Sequence, residues 1–370
     1  MNITNASRNS SLDTPQKYLD FFAEPFGLMV FRLTIEVVIF AVGVLGNVLV
    51  CVVVFKERLY KAIAYVFVLN LAIADLGVLI FSVPFGLVRT EAISWPFGWF
   101  GCKVLYPFSD IFHGVSIASI TAIAVYRYRG IVTGRSPDPH RTRKHAKLVV
   151  ALVWVVSFLL LVLPLFFSMR YEKFNGDFYC FPKFSKFLYF RLYQAELLLL
   201  TYIIPLCIIL FTYIKIRARL QESIQLRLQI RQQSGFRRND HFNEKNFKAL
   251  KILTPIVVVF ALTMLPYNIY RFADIFFDTS GFRYMLLFFK FCVVAFICNS
   301  SANPVIYTLI SDEFRKAFKW HLRHCSASPS FEHNKFFSVS ERFTSMKMSF
   351  LHSNNINGRE GRKRGSSTIL

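Results

Sequence analysis

The chain has 370 residues, of which 54% are hydrophobic and 17% aromatic, against 18% charged, and its formal net charge is +22. So much apolar surface exceeds what one or two soluble cores can hide, which excludes an ordinary soluble protein and a largely disordered one. A charge this basic first suggests nucleic acid, but its distribution along the chain points to a membrane instead.

Residues 1–28 form a polar tail with three sequons, Asn2-Ile3-Thr4, Asn5-Ala6-Ser7 and Asn9-Ser10-Ser11, and no apolar stretch of a cleaved signal peptide. The tail is therefore expected outside the cell, glycosylated at Asn2, Asn5 and Asn9. Seven apolar runs follow, at 29–55, 63–88, 100–126, 148–168, 192–214, 252–270 and 284–310. Each is long enough to cross a hydrocarbon layer of about 30 Å as a helix. Barrel strands would be about ten residues long with alternating polarity, which these runs are not. Of the 44 Lys and Arg, 31 fall in 56–61, 127–147, 215–251 and 312–370, segments that carry +21 against +1 for the rest of the chain. That asymmetry predicts a multi-pass plasma-membrane protein with its N-terminus extracellular and its C-terminus cytoplasmic. The basic charge then serves topology and attraction to anionic membrane lipid, with no nucleic acid as partner.

After the seventh run, Phe314, Phe318 and Leu322 recur at helical spacing among basic residues, predicting an amphipathic membrane-surface helix over 311–325. It ends at Cys325, either a palmitoylation site or a free thiol. Residues 326–370, rich in Ser, Asn, Lys and Arg, are expected to be a disordered cytoplasmic tail. The predicted fold is an all-α membrane protein, a seven-transmembrane helix bundle over 29–310 with a short amphipathic eighth helix.

Cys51, Cys207, Cys292 and Cys298 lie inside the apolar runs and read as small apolar fillers. Cys102 heads the third run and Cys180 lies in the external loop before the fifth, so a Cys102–Cys180 disulfide is expected in the oxidising compartment. Asp75 sits at membrane depth in the second run, accompanied by Asn47, Ser116, Asn299, Ser300 and Asn303 in other runs. Such residues either bond helices together or hold a small hard cation. No cofactor-binding or enzyme signature is present: the chain lacks a Gly-rich phosphate loop, HExxH, CxxC and GxSxG. His113 has no second ligand candidate nearby in sequence and reads as an interior or ligand-facing residue.

Gly46-Asn47, Leu71-Ala72-Ile73-Ala74-Asp75, Arg127-Tyr128, Trp154, Pro205, Leu265-Pro266 and Asn303-Pro304-Val305-Ile306-Tyr307 stand in order on successive runs. Together with the 25-residue interval from Cys102 to Arg127, they resemble the rhodopsin-like (class A) G-protein-coupled receptors over about residues 30–323. The resemblance implies a receptor that activates a heterotrimeric G protein and engages arrestin through a phosphorylated tail. It implies that Arg127 contacts the G protein with Tyr213 and Tyr307 in support, that Pro205, Ile117 and Phe260 form a packing switch, and that sodium binds at Asp75, Ser116 and Asn303. Departures are also visible. Tyr126 replaces the usual acid before Arg127, Asn246 stands where an acid often closes the resting-state restraint, and Met264 replaces a tryptophan.

The position of the retinal-binding lysine is Ile297, and that of the amine-binding aspartate is Ser109 with Asp110 one residue on. A light receptor is therefore disfavoured, whereas a small-amine receptor stays open beside a peptide one. The peptide reading rests on Trp95-Pro96-Phe97-Gly98, which looks like the first external loop of neuropeptide receptors. It rests also on Asn175-Gly176 between aromatic runs, a hairpin signal. Around the expected mouth stand Glu36, Tyr106, Ser109, Asp110, His113, Glu196, Tyr267, Tyr270, Arg271, Asp274 and Arg283. A transporter or channel is the alternative of another class, and the absence of an internal repeat weighs against it. The terminus Ser367-Thr368-Ile369-Leu370 resembles a PDZ ligand, with Thr368 and Leu370 as the residues read.

Overall fold

The computed structural model describes residues 24–61, 63–133, 139–234, 241–277, 284–310 and 312–323. The chain divides into two units, 1–319 and 320–370, and of the second only 320–323, the last turn of a helix, is described. The expected sites at Asn2, Asn5, Asn9, Cys325, Thr368 and Leu370, and the rim residue Arg283, lie outside the described residues.

Among the described residues, seven helices are long and apolar enough to cross a membrane: α1 Phe26–Lys56, α2 Ile63–Glu91, α3 Gly98–Ile131, α4 Lys144–Ser168, α5 Phe187–Leu226, α6 Thr254–Phe276 and α7 Met285–Ile310. An eighth, α8, spans Asp312–Arg323. Helix α5 runs on to Ser234 and α6 begins at His241, well beyond the apolar runs. Apolarity marks only the part of a helix that meets lipid, and the Gln-, Arg- and Lys-rich continuations are good helix formers in water. Many side chains on the outer faces, such as Leu45, Phe211 and Leu262, are exposed because lipid is their solvent.

Among the described residues, four helices contain one widened turn, and each such turn ends two residues before a proline. These are Val78–Ser82 before Pro84, Gly101–Leu105 before Pro107, Phe158–Val162 before Pro164 and Leu199–Ile203 before Pro205. A proline has no N–H to donate and its ring crowds the carbonyl four residues back, so one extra residue in the turn relieves both problems. Pro304 in α7 is accommodated differently. The Ser300 carbonyl that it leaves without a helical donor accepts a hydrogen bond of 3.1 Å from Asn47 Nδ2 of α1. Gly46 allows that approach, since a Cβ there would stand 2.7 Å from the Pro304 ring.

Trp154 Nε1 donates to Asn70 Oδ1 at 3.0 Å, and Asn70 Nδ2 donates to Ser119 Oγ at 2.8 Å, so α4, α2 and α3 share one buried polar chain. One apolar cluster, including Ile117, Ile209, Phe260, Met264 and Tyr307, fills the half of the bundle nearer the basic end. A second, around Trp95, Cys102, Met169, Cys180 and Tyr193, fills the opposite end. There β1 (Met169–Phe174) pairs antiparallel with β2 (Asp177–Pro182), Phe174 opposite Asp177. Asn175 and Gly176 have φ of 50° and 99°, the positive pair that a tight two-residue hairpin turn requires, as the Asn-Gly signal predicts. The Cys102–Cys180 disulfide joins β2 to the start of α3. Trp95 N–H also donates to the Phe178 carbonyl at 2.7 Å.

Candidate functional site

At the hairpin end, the inner faces of α2, α3, α5, α6 and α7 bring charged and aromatic groups together. Arg89 Nη1 donates to the Tyr106 hydroxyl at 2.7 Å. Arg271 Nη1 donates to Thr201 Oγ1 at 3.0 Å, and its Cζ lies 4.4 Å from the Tyr267 ring centroid. The Tyr267 and Tyr270 rings are nearly parallel, and both pack on Phe289. His113 packs on Phe296 at 4.7 Å. Gln194 Nε2 donates to Asp274 Oδ2 at 3.5 Å, while Glu196 lies half-buried on α5. Arg271 Nε, His113 Nε2 and Asn268 Oδ1 are buried without a hydrogen-bond partner among the described residues.

Two residues expected at this mouth have buried side chains engaged by neighbouring groups. Ser109 is 1% exposed, and its hydroxyl bonds back to the Tyr106 carbonyl of its own helix at 2.6 Å. Glu36 is 2% exposed and ion-paired with Arg32 at 3.0 Å. Arg32 Nη2 also meets Glu24 at 2.8 Å and Glu91 at 3.0 Å, while Lys290 bridges Glu91 at 2.9 Å and Glu24 at 3.4 Å. Five charges thus fasten the segment before α1 to α1, α2 and α7. The hydrogen bonds from Arg32 hold the Glu24 carboxyl below the usual carboxylate range, against the opposing effect of burial. The sequence pattern pointed to none of the cluster except Glu36. Its one local signal is the Arg32–Glu36 spacing of four residues within an apolar helix, where an ion pair is costly unless it serves packing.

Deeper in the bundle, Asp75 is wholly buried and accepts from Ser116 Oγ at 2.7 Å and Asn303 Nδ2 at 2.8 Å. Thr263 Oγ1 donates to Asn299 Oδ1 at 3.3 Å beside this knot. Ile117 and Phe260 share the buried core beside α5, where Pro205 is also buried. Toward the basic end the Tyr126 ring packs on Phe67, and Arg127 makes no ion pair among the described residues. Thr254 Oγ1 donates to the Tyr213 hydroxyl at 3.5 Å. The Tyr307 ring stacks on Phe314 of α8, with its hydroxyl buried and unpartnered among the described residues. Tyr213 and Tyr307 therefore have separate partners, and neither is bonded to Arg127.

Residues 46–307 match the family described as 7 transmembrane receptor (rhodopsin family). The chain is 29% identical to galanin receptor type 1 of Rattus norvegicus over 298 residues, covering 79% of this chain and 82% of that protein. It is 31% identical to neuropeptide Y receptor type 2 of Homo sapiens over 297 residues, covering 76% of this chain and 73% of that one.

Proposed function

The chain belongs to the rhodopsin family of seven-transmembrane receptors, and from that premise we propose that its extracellular ligand is a peptide. The observation that carries this reading is the hairpin-covered site. A disulfide-fastened β lid stands at the end of the bundle where the aromatic and charged side chains converge. A site with both charge signs and several aromatic faces suits the varied groups of an extended ligand better than one compact ammonium. The relatives named for galanin and neuropeptide Y support the same reading. The orientation follows the positive-inside rule, with hairpin and N-terminus outside and the long basic helix ends of α5 and α6 in the cytoplasm, where a G protein docks. Membranes containing the receptor should take up GTPγS in response to members of a neuropeptide library. A response confined to small amines, or solute flux without nucleotide uptake, would overturn the peptide assignment.

Binding of ligand is then a bias on a two-state bundle. The inner ends of α5 and α6 move outward, pivoting where Pro205 and Pro266 interrupt helical hydrogen bonding, and Ile117 and Phe260 repack beside Pro205. Arg127 becomes the G-protein contact, and Tyr213 and Tyr307 turn toward it. Arg127 makes no ion pair among the described residues, and Tyr126 and Asn246 stand at the two positions where an acid usually restrains it. Ligand-independent signalling is expected to be high, and Tyr126→Asp to lower it several-fold, for a contribution of about 1 kcal/mol at a partly hydrated site. Equal basal output at matched surface expression would count against this restraint.

Sodium fits the Asp75 site as an allosteric modulator, because the groups bonded to the carboxylate among the described residues, Ser116, Asn303 and Ser300, are all neutral, and a cation would offset its buried charge. Replacing sodium with a large organic cation should raise agonist affinity, and Asp75→Asn should remove that dependence. An unchanged sodium effect in the variant would reject the site. N-glycans on Asn2, Asn5 and Asn9, a lipid on Cys325, arrestin on the phosphorylated tail and a PDZ protein on Thr368 and Leu370 complete the proposed set of modifications and partners.

A further inference from the structure

Arg271 stands out as a charged group whose partners do not match it. The residue is 5% exposed, yet among the described residues its one side-chain hydrogen bond goes to a neutral hydroxyl, Thr201 Oγ1, and its Nε donor is buried with no acceptor. Among the described residues no carboxylate lies within ion-pair distance of it. Asp274, one turn along α6, is engaged by Gln194. Asp110 on α3 makes no ion pair with either Arg271 or Arg89 among the described residues. The Tyr267 face covers one side of the Arg271 guanidinium but supplies no acceptor in its plane. An uncompensated buried charge is strongly unfavourable unless a counterion completes it, and a guanidinium completes best with a planar oxyanion bound through two parallel hydrogen bonds.

We infer that Arg271 is the anchor for an anionic group of the ligand, a carboxylate from an acidic side chain or a free peptide C-terminus inserted between α3, α5 and α6. Thr201 fixes one arm of the fork, Tyr267 holds its plane, and Nε is left to face the incoming oxygen. This assignment deepens the peptide reading and rests on it.

The test uses the wild-type receptor and one synthetic peptide library in two matched halves. One half carries Asp, Glu and free C-termini; the other carries Asn, Gln and C-terminal amides at the same positions. GTPγS uptake should come from the acidic half, with the amide counterpart of each active peptide weaker by roughly 30-fold or more, the size expected when a buried charge pair loses one partner. Arg271→Gln, at matched surface expression, should reduce the difference between counterparts to less than about threefold, and Arg271→Lys should restore only part of it, having charge without the fork. Equal potency of acid and amide counterparts in the wild type would overturn the anchor while leaving the peptide reading intact. Activation by neither half, in a receptor with measurable basal uptake, would reject the peptide reading and the anchor with it. Should Arg271→Gln fail to reach the surface, the comparison of counterparts on the wild type decides alone.

Discussion

Arg32→Ala is expected to lower the stability of the detergent-solubilised receptor by about 3–5 kcal/mol, the cost of leaving a buried charge without its partner. The stranded group is Glu36, 2% exposed; among the described residues its one side-chain hydrogen bond comes from Arg32 and its second carboxylate oxygen lacks a partner. Glu24 and Glu91 keep Lys290 and lose less. Adding Glu36→Ala to Arg32→Ala should therefore recover part of the loss, a coupling that a double-mutant cycle measures. The same cluster sets an acid limit. Because Glu24 is held below its ordinary range, its contribution is present above about pH 4.3, the unfolded value, and is lost as the pH falls through the lower folded value. A wild-type melting temperature for Arg32→Ala, with no effect of adding Glu36→Ala, would show that the cluster contributes nothing to holding α1, α2 and α7 together.

Cys102→Ser should weaken peptide binding by about 2–4 kcal/mol, roughly 30- to 1,000-fold, while the receptor still inserts and reaches the surface. The seven helices are held by lipid and by their own contacts, so the bridge is not needed for insertion. What it removes is freedom of the hairpin, which otherwise must be ordered at the expense of binding energy. Without it, β2 keeps the Trp95–Phe178 hydrogen bond and the packing of Trp95 against Phe85 and Tyr106, so the lid loosens rather than leaves. Cys180→Ser should match Cys102→Ser, and the double variant should be no worse than either, since all three lack the same bond. Additive losses would mean that the two side chains act separately, and undiminished affinity would remove the lid from the binding mechanism.

Much of this was legible in the residues. Seven spans, the hairpin turn at Asn175-Gly176 and the Cys102–Cys180 bridge each follow from a local or compositional property, because lipid sorts a chain by apolarity and a two-residue turn demands positive φ. The family landmarks likewise sit where the bundle uses them, Asn47 repairing the gap left by Pro304 and Asp75 meeting Ser116 and Asn303.

Other features needed the folded chain. The widened turns before four prolines depend on how each helix relieves a local clash, and Pro304 shows that a neighbouring side chain can do so instead. Ser109 and Glu36 lie on plausible faces for a ligand site, but helical periodicity gives a face without naming what it meets. Lys290 and Glu24 are 266 positions apart and become neighbours only when α7 closes against α1 and α2. Arg271 reads from sequence as one more cation at the mouth. That its guanidinium is buried beside a tyrosine face and a hydroxyl, with no carboxylate in reach among the described residues, was decided by packing. Helix rotation and tilt set side-chain distances, and they are fixed by contacts among all seven helices at once rather than by any one of them.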